Sequence, residues 1–196
     1  EMSSKFNPDW LKNSMDVCDM IDLNLSFGDI HFPDFPIPTL EAPMDYFDRL
    51  AWSGLKERYG DPLPPHIVDR ANHEIRVVKE MGFTEYFLVV SDLVNWAKNN
   101  NVRVGWGRGS AAGSILSYAF KITNLDPIKF GLMFERFLVE GRKSMPDIDL
   151  DFDDRYRDEV INYARTKYGS DHVAHICTFN KTGARQSIRD DASALG

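Results

Sequence analysis

Three windows in the first half of the chain space their apolar residues as the buried face of a helix does, three and four apart. From Pro43 the apolar positions are Met44, Phe47, Ala51 and Leu55, and the run stops at Gly60. Pro64 and Pro65 open a second window with Ile67, Ala71, Ile75 and Val78 on one side, ending at Gly82. A third, EYFLVVSDLVNWAKNN, follows Thr84 as its expected cap, with Tyr86, Val90, Leu93 and Ala97 sharing a face. These stripes read as core. Ahead of them, HFPDFPIPTL places Pro33, Pro36 and Pro38 where they break any regular element, so the opening forty residues read as an extended connector.

Beyond Asn100 the pattern changes. VRV reads as a short strand, GWGRGS as a glycine-rich turn and SAAGSILSYAF as a helix of small and apolar residues, and FGLMFERFL adds a further helical turn or two. Residues 147–152 then alternate Asp147, Asp149, Asp151 with Ile148, Leu150, Phe152, the two-residue period of a strand with one apolar face and one carboxylate face. DRYRDEVINYARTKYG is expected to be a helix ending at Gly169, HVAHICTF a strand, and KTGARQSIRDDASALG a helix. Helices followed by mixed strands and helices predict an α/β or mixed α+β fold.

Composition narrows the class. The 196 residues are 43% hydrophobic and 27% charged, which fits a packed protein and excludes a disordered tail. No apolar run approaches the roughly 18 residues of a membrane span and the first residues lack a signal layout, so a cytoplasmic location is expected. Cys18 and Cys177 are too few for a disulfide framework or a four-cysteine zinc site and read as reduced, structural residues. The net charge of −7 is uneven. Acids outnumber bases 11 to 5 over residues 1–60, whereas the counts are 9 and 9 over 61–140 and 10 and 9 over 141–196, which permits a local basic surface.

Two stretches carry candidate chemistry. Gly107, Gly109 and Ala112 fit a G-x-G-x-x-A turn between strand and helix, with Asp126 near the acid position of a dinucleotide fold. A tight turn needing positive φ is the plainer account. The apolar parallel strand that should follow in a dinucleotide unit is replaced by TNLDPIKFGLMFERFL. Either way the backbone can approach an oxyanion, with Arg108 and the Ser110 hydroxyl adding charge and a donor, so phosphate binding is expected. The second stretch holds five carboxylates between Asp147 and Asp154. Carboxylates two residues apart on a strand lie about 7 Å apart and repel, a cost that a bound cation removes. Oxygen-only ligands favour Mg²⁺ bridging protein carboxylates to phosphates. A calcium loop starting at Asp147 fails, with Phe152 at its glycine position and Asp158 at its final glutamate. A solvated acidic edge strand is the plainer reading. A phosphate turn and a metal-binding strand together suit two-metal phosphoryl transfer.

VGWGRGSAAGSILSYAFKITNLDPIKFGLMFERFL, then MPDIDLDF, then ICTFNKTGARQSIRD, strongly resemble the family of bacterial DNA polymerase III alpha subunits, the family C replicative polymerases. Weaker similarity reaches back to about Asp16, so nearly the whole chain is covered. The resemblance implies a palm with a fold like that of the DNA polymerase β nucleotidyltransferases, with flanking helices. It implies a phosphate-holding motif at Gly107, Arg108, Gly109 and Ser110, a basic residue at Arg136, and metal-binding catalytic carboxylates at Asp147 and Asp149. Asp151 matches an acid that supports the strand. The implied ions are two Mg²⁺, replaceable by Mn²⁺, and the implied partners are primer–template DNA, deoxynucleoside triphosphates, the remaining polymerase domains, and a sliding clamp with other replisome subunits.

Trp106 departs from the family by standing where proline is usual. The third catalytic aspartate and its neighbouring lysine are not found by Gly196. The chain is therefore expected to be a fragment, inactive alone: a linker over 1–42, the first palm segment over 43–178, and the start of a thumb over 179–196. His172, His175 and Cys177 read as ordinary packing, since on a strand His172 points opposite to the other two. Lys181, Arg185 and Arg189 step by four and form either a solvated face or a contact to duplex phosphates.

Overall fold

The computed structural model describes residues 7–23, 33–38, 40–141, 145–179, 181 and 183–195. Parts of the sequence reading at Lys143, Ser144, His31, Phe32, Thr39, Asn180 and Thr182 lie outside those residues. The chain divides into two units, residues 1–31 and 32–196. The first contains helix α1 (Pro8–Asp19), where an extended connector is expected; proline sits in its first turn and the Asn7 side chain accepts from the Asp9 amide at 2.9 Å.

In the second unit the three apolar stripes become α2 (Pro43–Tyr59), α3 (Pro65–Glu80) and α4 (Thr84–Asn99). Phe47, Ala51 and Leu55 of α2 and Ile67, Ala71 and Val78 of α3 are buried as their spacing implies, whereas Met44 is exposed. On α4 the buried face is turned toward Phe87, Leu88 and Val94, leaving Tyr86 and Leu93 half-buried at its margin. Thr84 does not cap α4: Phe83 is the cap residue and the buried Thr84 hydroxyl has no partner among the described residues. These helices enclose α5 (Ile115–Ala119), preceded by a tight 3₁₀ turn over Ser110–Gly113, so the single helix expected there is broken at Ser114. A 3₁₀ turn at Phe134–Arg136 closes the same core with Phe134, Phe137 and Leu138.

A smaller cluster joins Ala97, Val102 and Val160 to Trp96, Val104 and Phe152 beneath α6 (Arg157–Tyr168). Asp92 of α4 fixes α6 there. It accepts from the Tyr163 and Tyr168 hydroxyls at 2.9 Å each and from Lys167 Nζ at 2.5 Å. Trp96 stacks on Tyr163 with ring centroids 4.4 Å apart. The last helix, α7 (Ala184–Leu195), is exposed along its length apart from a half-exposed Ser187.

The expected α/β or mixed α+β palm of the polymerase β type is not what the chain forms: the described residues are helical, with no strand and no sheet. VRV and the acidic stretch meet in one isolated antiparallel bridge, Val104 to Phe152. Its bonds run from Gly105 N to Asp151 O at 2.8 Å and from Asp153 N to Arg103 O at 3.0 Å. Residues 173–179 pair with nothing described, and Ile176 and Phe179 stand almost fully exposed. The physical reason is that a two-residue period reports an extended backbone with one face buried, without saying what that face lies on. Ile148 and Leu150 pack on the helical core. Among the described residues no helix is long and apolar enough to cross a membrane.

Gly54 sets the closest helix contact. An ideal Cβ there would lie 2.2 Å from the Ala119 carbonyl oxygen of α5. A glycine in an open helix gains about 1 kcal/mol on becoming alanine, but forced separation of packed elements costs about 1–3 kcal/mol. Gly54→Ala is therefore expected to lower the unfolding free energy, by about 2 kcal/mol less the propensity gain, in urea titrations. A stabilised variant would mean that α2 and α5 do not approach in this way.

Candidate active site

The glycine turn is anchored where it begins. Gly105 N bonds to Asp151 O, and Trp106 O accepts from Asn124 N at 2.7 Å. Beyond these contacts Gly107 has φ +106° and Gly109 φ +69°, backbone that L side chains rarely adopt. Space is short as well: a Cβ on Gly107 would meet Thr123 at 2.7 Å, and one on Gly109 would lie 2.9 Å from Asp149 Oδ2, so that carboxylate would have to shift. The second contact ties the turn to the acidic stretch.

Arg108 makes the same connection through charge. Its Nη1 lies 3.3 Å from Asp149 Oδ2 and its Nε 3.2 Å from Asp151 Oδ1. The guanidinium is 56% exposed, so each pair contributes no more than about 1 kcal/mol. Two motifs some forty residues apart in sequence thus share one edge. Asp147 and Asp149 flank Ile148, whose amide donates to the Tyr86 hydroxyl at 3.2 Å. Burial pushes the Tyr86 phenol above its ordinary range, the Ile148 bond opposes this, and the charges of Asp147 and Asp149 add to the rise.

Beside the turn lies a cavity of about 470 Å³. Gly109, Ser110, Gly113, Leu132, Met133 and Arg136 are among its lining residues. Two residues of α3 tie that lining together. Glu74 is fully buried and accepts from Ser114 Oγ at 2.7 Å, Ile115 N at 3.1 Å, Leu116 N at 3.3 Å and Arg70 Nε at 2.7 Å. Burial pushes its carboxyl upward, against the donors from Ser114, Arg70 and Ile115. Arg70 Nη2 in turn donates to Gly113 O at 2.9 Å and Leu132 O at 3.3 Å, both of residues that line the cavity.

These contacts bear on the dinucleotide reading of the turn. A dinucleotide pyrophosphate uses the amides at a helix start, and the Ile115 and Leu116 amides at the start of α5 already donate to the Glu74 carboxylate. Asp126, the candidate ribose acid, accepts from the Tyr59 hydroxyl at 2.7 Å and from the Ile128 and Lys129 amides, which commits it to a turn.

All seven sequence-derived site residues are described. Gly107, Arg108, Gly109 and Ser110 form the turn, Gly109, Ser110 and Arg136 line the cavity, and Asp149 meets Arg108, with Asp147 two residues away on the same extended segment. Among the described residues no group of three or more His, Cys, Asp or Glu is placed to hold a metal ion. His172 Nδ1 lies 2.6 Å from Tyr168 O, while His175 is exposed, as are both cysteines, which are not packed structural residues. Arg185 and Arg189 are exposed on α7, but Lys181 precedes the helix.

Glu74, Arg70 and Tyr86 were not expected at the site. A signal existed for the first: Glu74 falls seven residues after Ile67 and three after Ala71, on the buried stripe, where a charge needs a partner.

The site is an arginine-bearing turn set against a carboxylate segment at the rim of a cavity. A family model described as the bacterial DNA polymerase III alpha NTPase domain matches residues 45–196. The chain is 42% identical over its whole length to a DNA polymerase III subunit alpha of Pseudomonas fluorescens, covering 18% of that protein. It is 42% identical over 97% of its length to one of Bacillus subtilis, covering 17%, and 46% identical over 84% to one of Aquifex aeolicus, covering 14%. The chain belongs to the bacterial DNA polymerase III alpha family, and it spans less than a fifth of the length of these relatives.

All partners of Glu74 are donors, so an amide in its place turns an N–H toward other hydrogens. Glu74→Gln is expected to cost about 3 kcal/mol of unfolding free energy, within the range for breaking a buried pair. A loss below about 1 kcal/mol in urea titration would show that this carboxylate does not clamp the cavity wall.

Proposed function

We propose that this chain supplies part of the nucleotidyl-transfer site of a replicative DNA polymerase. In that reaction a primer 3′-hydroxyl oxygen bonds to the α-phosphorus of a deoxynucleoside triphosphate. The bond to the β-phosphate breaks, pyrophosphate leaves and the hydroxyl proton passes to solvent. The observation that carries the reading is the contact of Arg108 with Asp149, which joins the candidate phosphate turn to the candidate metal segment.

Asp147 and Asp149 are the residues that would hold Mg²⁺. The fit rests on their chemistry: both are hard oxygen donors on one extended segment, and the missing side chain at Gly109 leaves Asp149 open on that side. When bound, such ions lower the pKa of an attacking hydroxyl and neutralise a departing pyrophosphate. Arg108, Ser110 and Arg136 would orient the triphosphate from the turn and the cavity rim, their donors meeting charge that builds on the phosphate oxygens. Asp151 holds the Arg108 guanidinium beside the acid pair. Primer–template DNA, the other polymerase domains and a sliding clamp are the proposed partners, and the exposed Arg185 and Arg189 are suited to duplex phosphates.

The test is binding of a deoxynucleoside triphosphate to this chain with Mn²⁺, with Mg²⁺ and with neither. Binding is expected to require the metal and to weaken by about a hundredfold or more in Asp147→Asn with Asp149→Asn, beyond the loss typical of residues one shell out. Metal-independent binding, or protection of the Gly107–Gly113 backbone by a nicotinamide dinucleotide, would refute the reading.

A further inference from the structure

We infer that Tyr86 is the positioning residue for the Asp147–Asp149 pair. The inference rests on the proposed metal-binding role of those two acids and adds a residue from a different element, α4.

An extended segment outside a sheet has few means of fixing its peptide planes. Between Met145 and Leu150 no regular secondary structure holds the backbone. Across the bridge the ladder bonds begin only at Asp151, through its carbonyl to Gly105 N. The Asp147–Ile148 peptide, between the two candidate ligands, is therefore beyond the reach of the ladder. What orients it is the Ile148 N–H donating to the Tyr86 hydroxyl at 3.2 Å.

Tyr86 is well suited to this. It lies in the first turn of a sixteen-residue helix, and its ring packs against the main hydrophobic core, as does the Ile148 side chain. The helix is fixed in turn at Ser91, whose hydroxyl donates to Phe120 O at 2.9 Å, and at Asp92 through three donors from α6. A tyrosine has only two side-chain torsions before its rigid ring, so the oxygen is placed by the helix with little freedom. That hydrogen bond fixes the peptide joining Asp147 to Ile148, which orients the Asp147 side directly and Asp149 through the one residue between them. Phenylalanine would keep the ring packing and remove the hydroxyl that accepts from Ile148.

The experiment uses this chain and Mn²⁺ alone as the probe. Free Mn²⁺ is followed by electron paramagnetic resonance during titration of the unaltered chain, Tyr86→Phe and Asp147→Asn, with thermal melting and amide exchange measured alongside. Tyr86→Phe is expected to weaken Mn²⁺ binding about tenfold, the lower end for groups that orient ligands, with a near-native melting curve and faster exchange confined to the amides around Ile148. Unchanged Mn²⁺ affinity in Tyr86→Phe, with Asp147→Asn clearly weakened, overturns the inference and leaves the metal reading standing. Equal Mn²⁺ binding by the unaltered chain and Asp147→Asn overturns the metal reading itself. Should Tyr86→Phe fail to fold, the Ile148 amide of the unaltered chain decides: slow exchange supports the bond, and exchange at the open-chain rate rules it out.

Discussion

A fully buried carboxylate surrounded by four donors organises this protein. Glu74 caps α5, receives the Ser114 hydroxyl and pairs with Arg70. Taking two charges out of water costs several kcal/mol per ion, so such a pair adds little net stability. Its effect is on uniqueness. The first amides of α5 are satisfied by that carboxylate, and the Arg70 guanidinium joins Gly113 to Leu132, both of which line the cavity. The lining of the cleft is thereby tied to helix α3, although no residue of α3 lines it.

The geometry of the turn depends on that lining and on the acidic segment together. Gly113 passes so close to Met133 that a Cβ would lie 2.5 Å from its carbonyl oxygen, while Gly109 is required by its φ of +69° beside Asp149. Both constraints belong to the backbone, and salt does not screen them. The contacts of Arg108 are electrostatic and half exposed, and thus weak. Backbone geometry places the groups, and an exposed arginine shares its charge between Asp149 and Asp151.

The helical half of the fold was legible because its stripes obey one period over four turns. Even there, the face of α4 was rotated, since Tyr86, Val90, Leu93 and Ala97 and the buried Phe87, Leu88 and Val94 all fit helical spacing in so apolar a sequence. The turn and the carboxylates could be read because glycine and clustered acids are chemically conspicuous. The fold class could not, because alternation of Ile148, Leu150 and Phe152 fixes an extended backbone but not the partner of its hydrogen bonds. Glu74 and Tyr86 escaped notice for a related reason: each occupies a helical position that an apolar residue could fill, and only the other end of its hydrogen bond, 40 or 62 residues away, reveals its use.

Charge bears on where the acidic segment would take the divalent ion proposed for it. Asp153 is held by Arg155 at 2.6 Å and drawn down to about 2 by that guanidinium, so it is balanced locally. Asp149 and Asp151 must share Arg108, and among the described residues Asp147 has no ion-pair partner. Three carboxylates with one guanidinium leave two negative charges, concentrated on the side of Asp147 and Asp149. Water screens much of the repulsion at such exposed positions, but screening falls as a cleft closes around bound phosphates. A pair tolerable in solvent then needs a compensating cation, and a single lysine or arginine would supply only half of the charge. On the proposed reading, the segment tolerates its charge while open and would hold a doubly charged ion more tightly as phosphates fill the site.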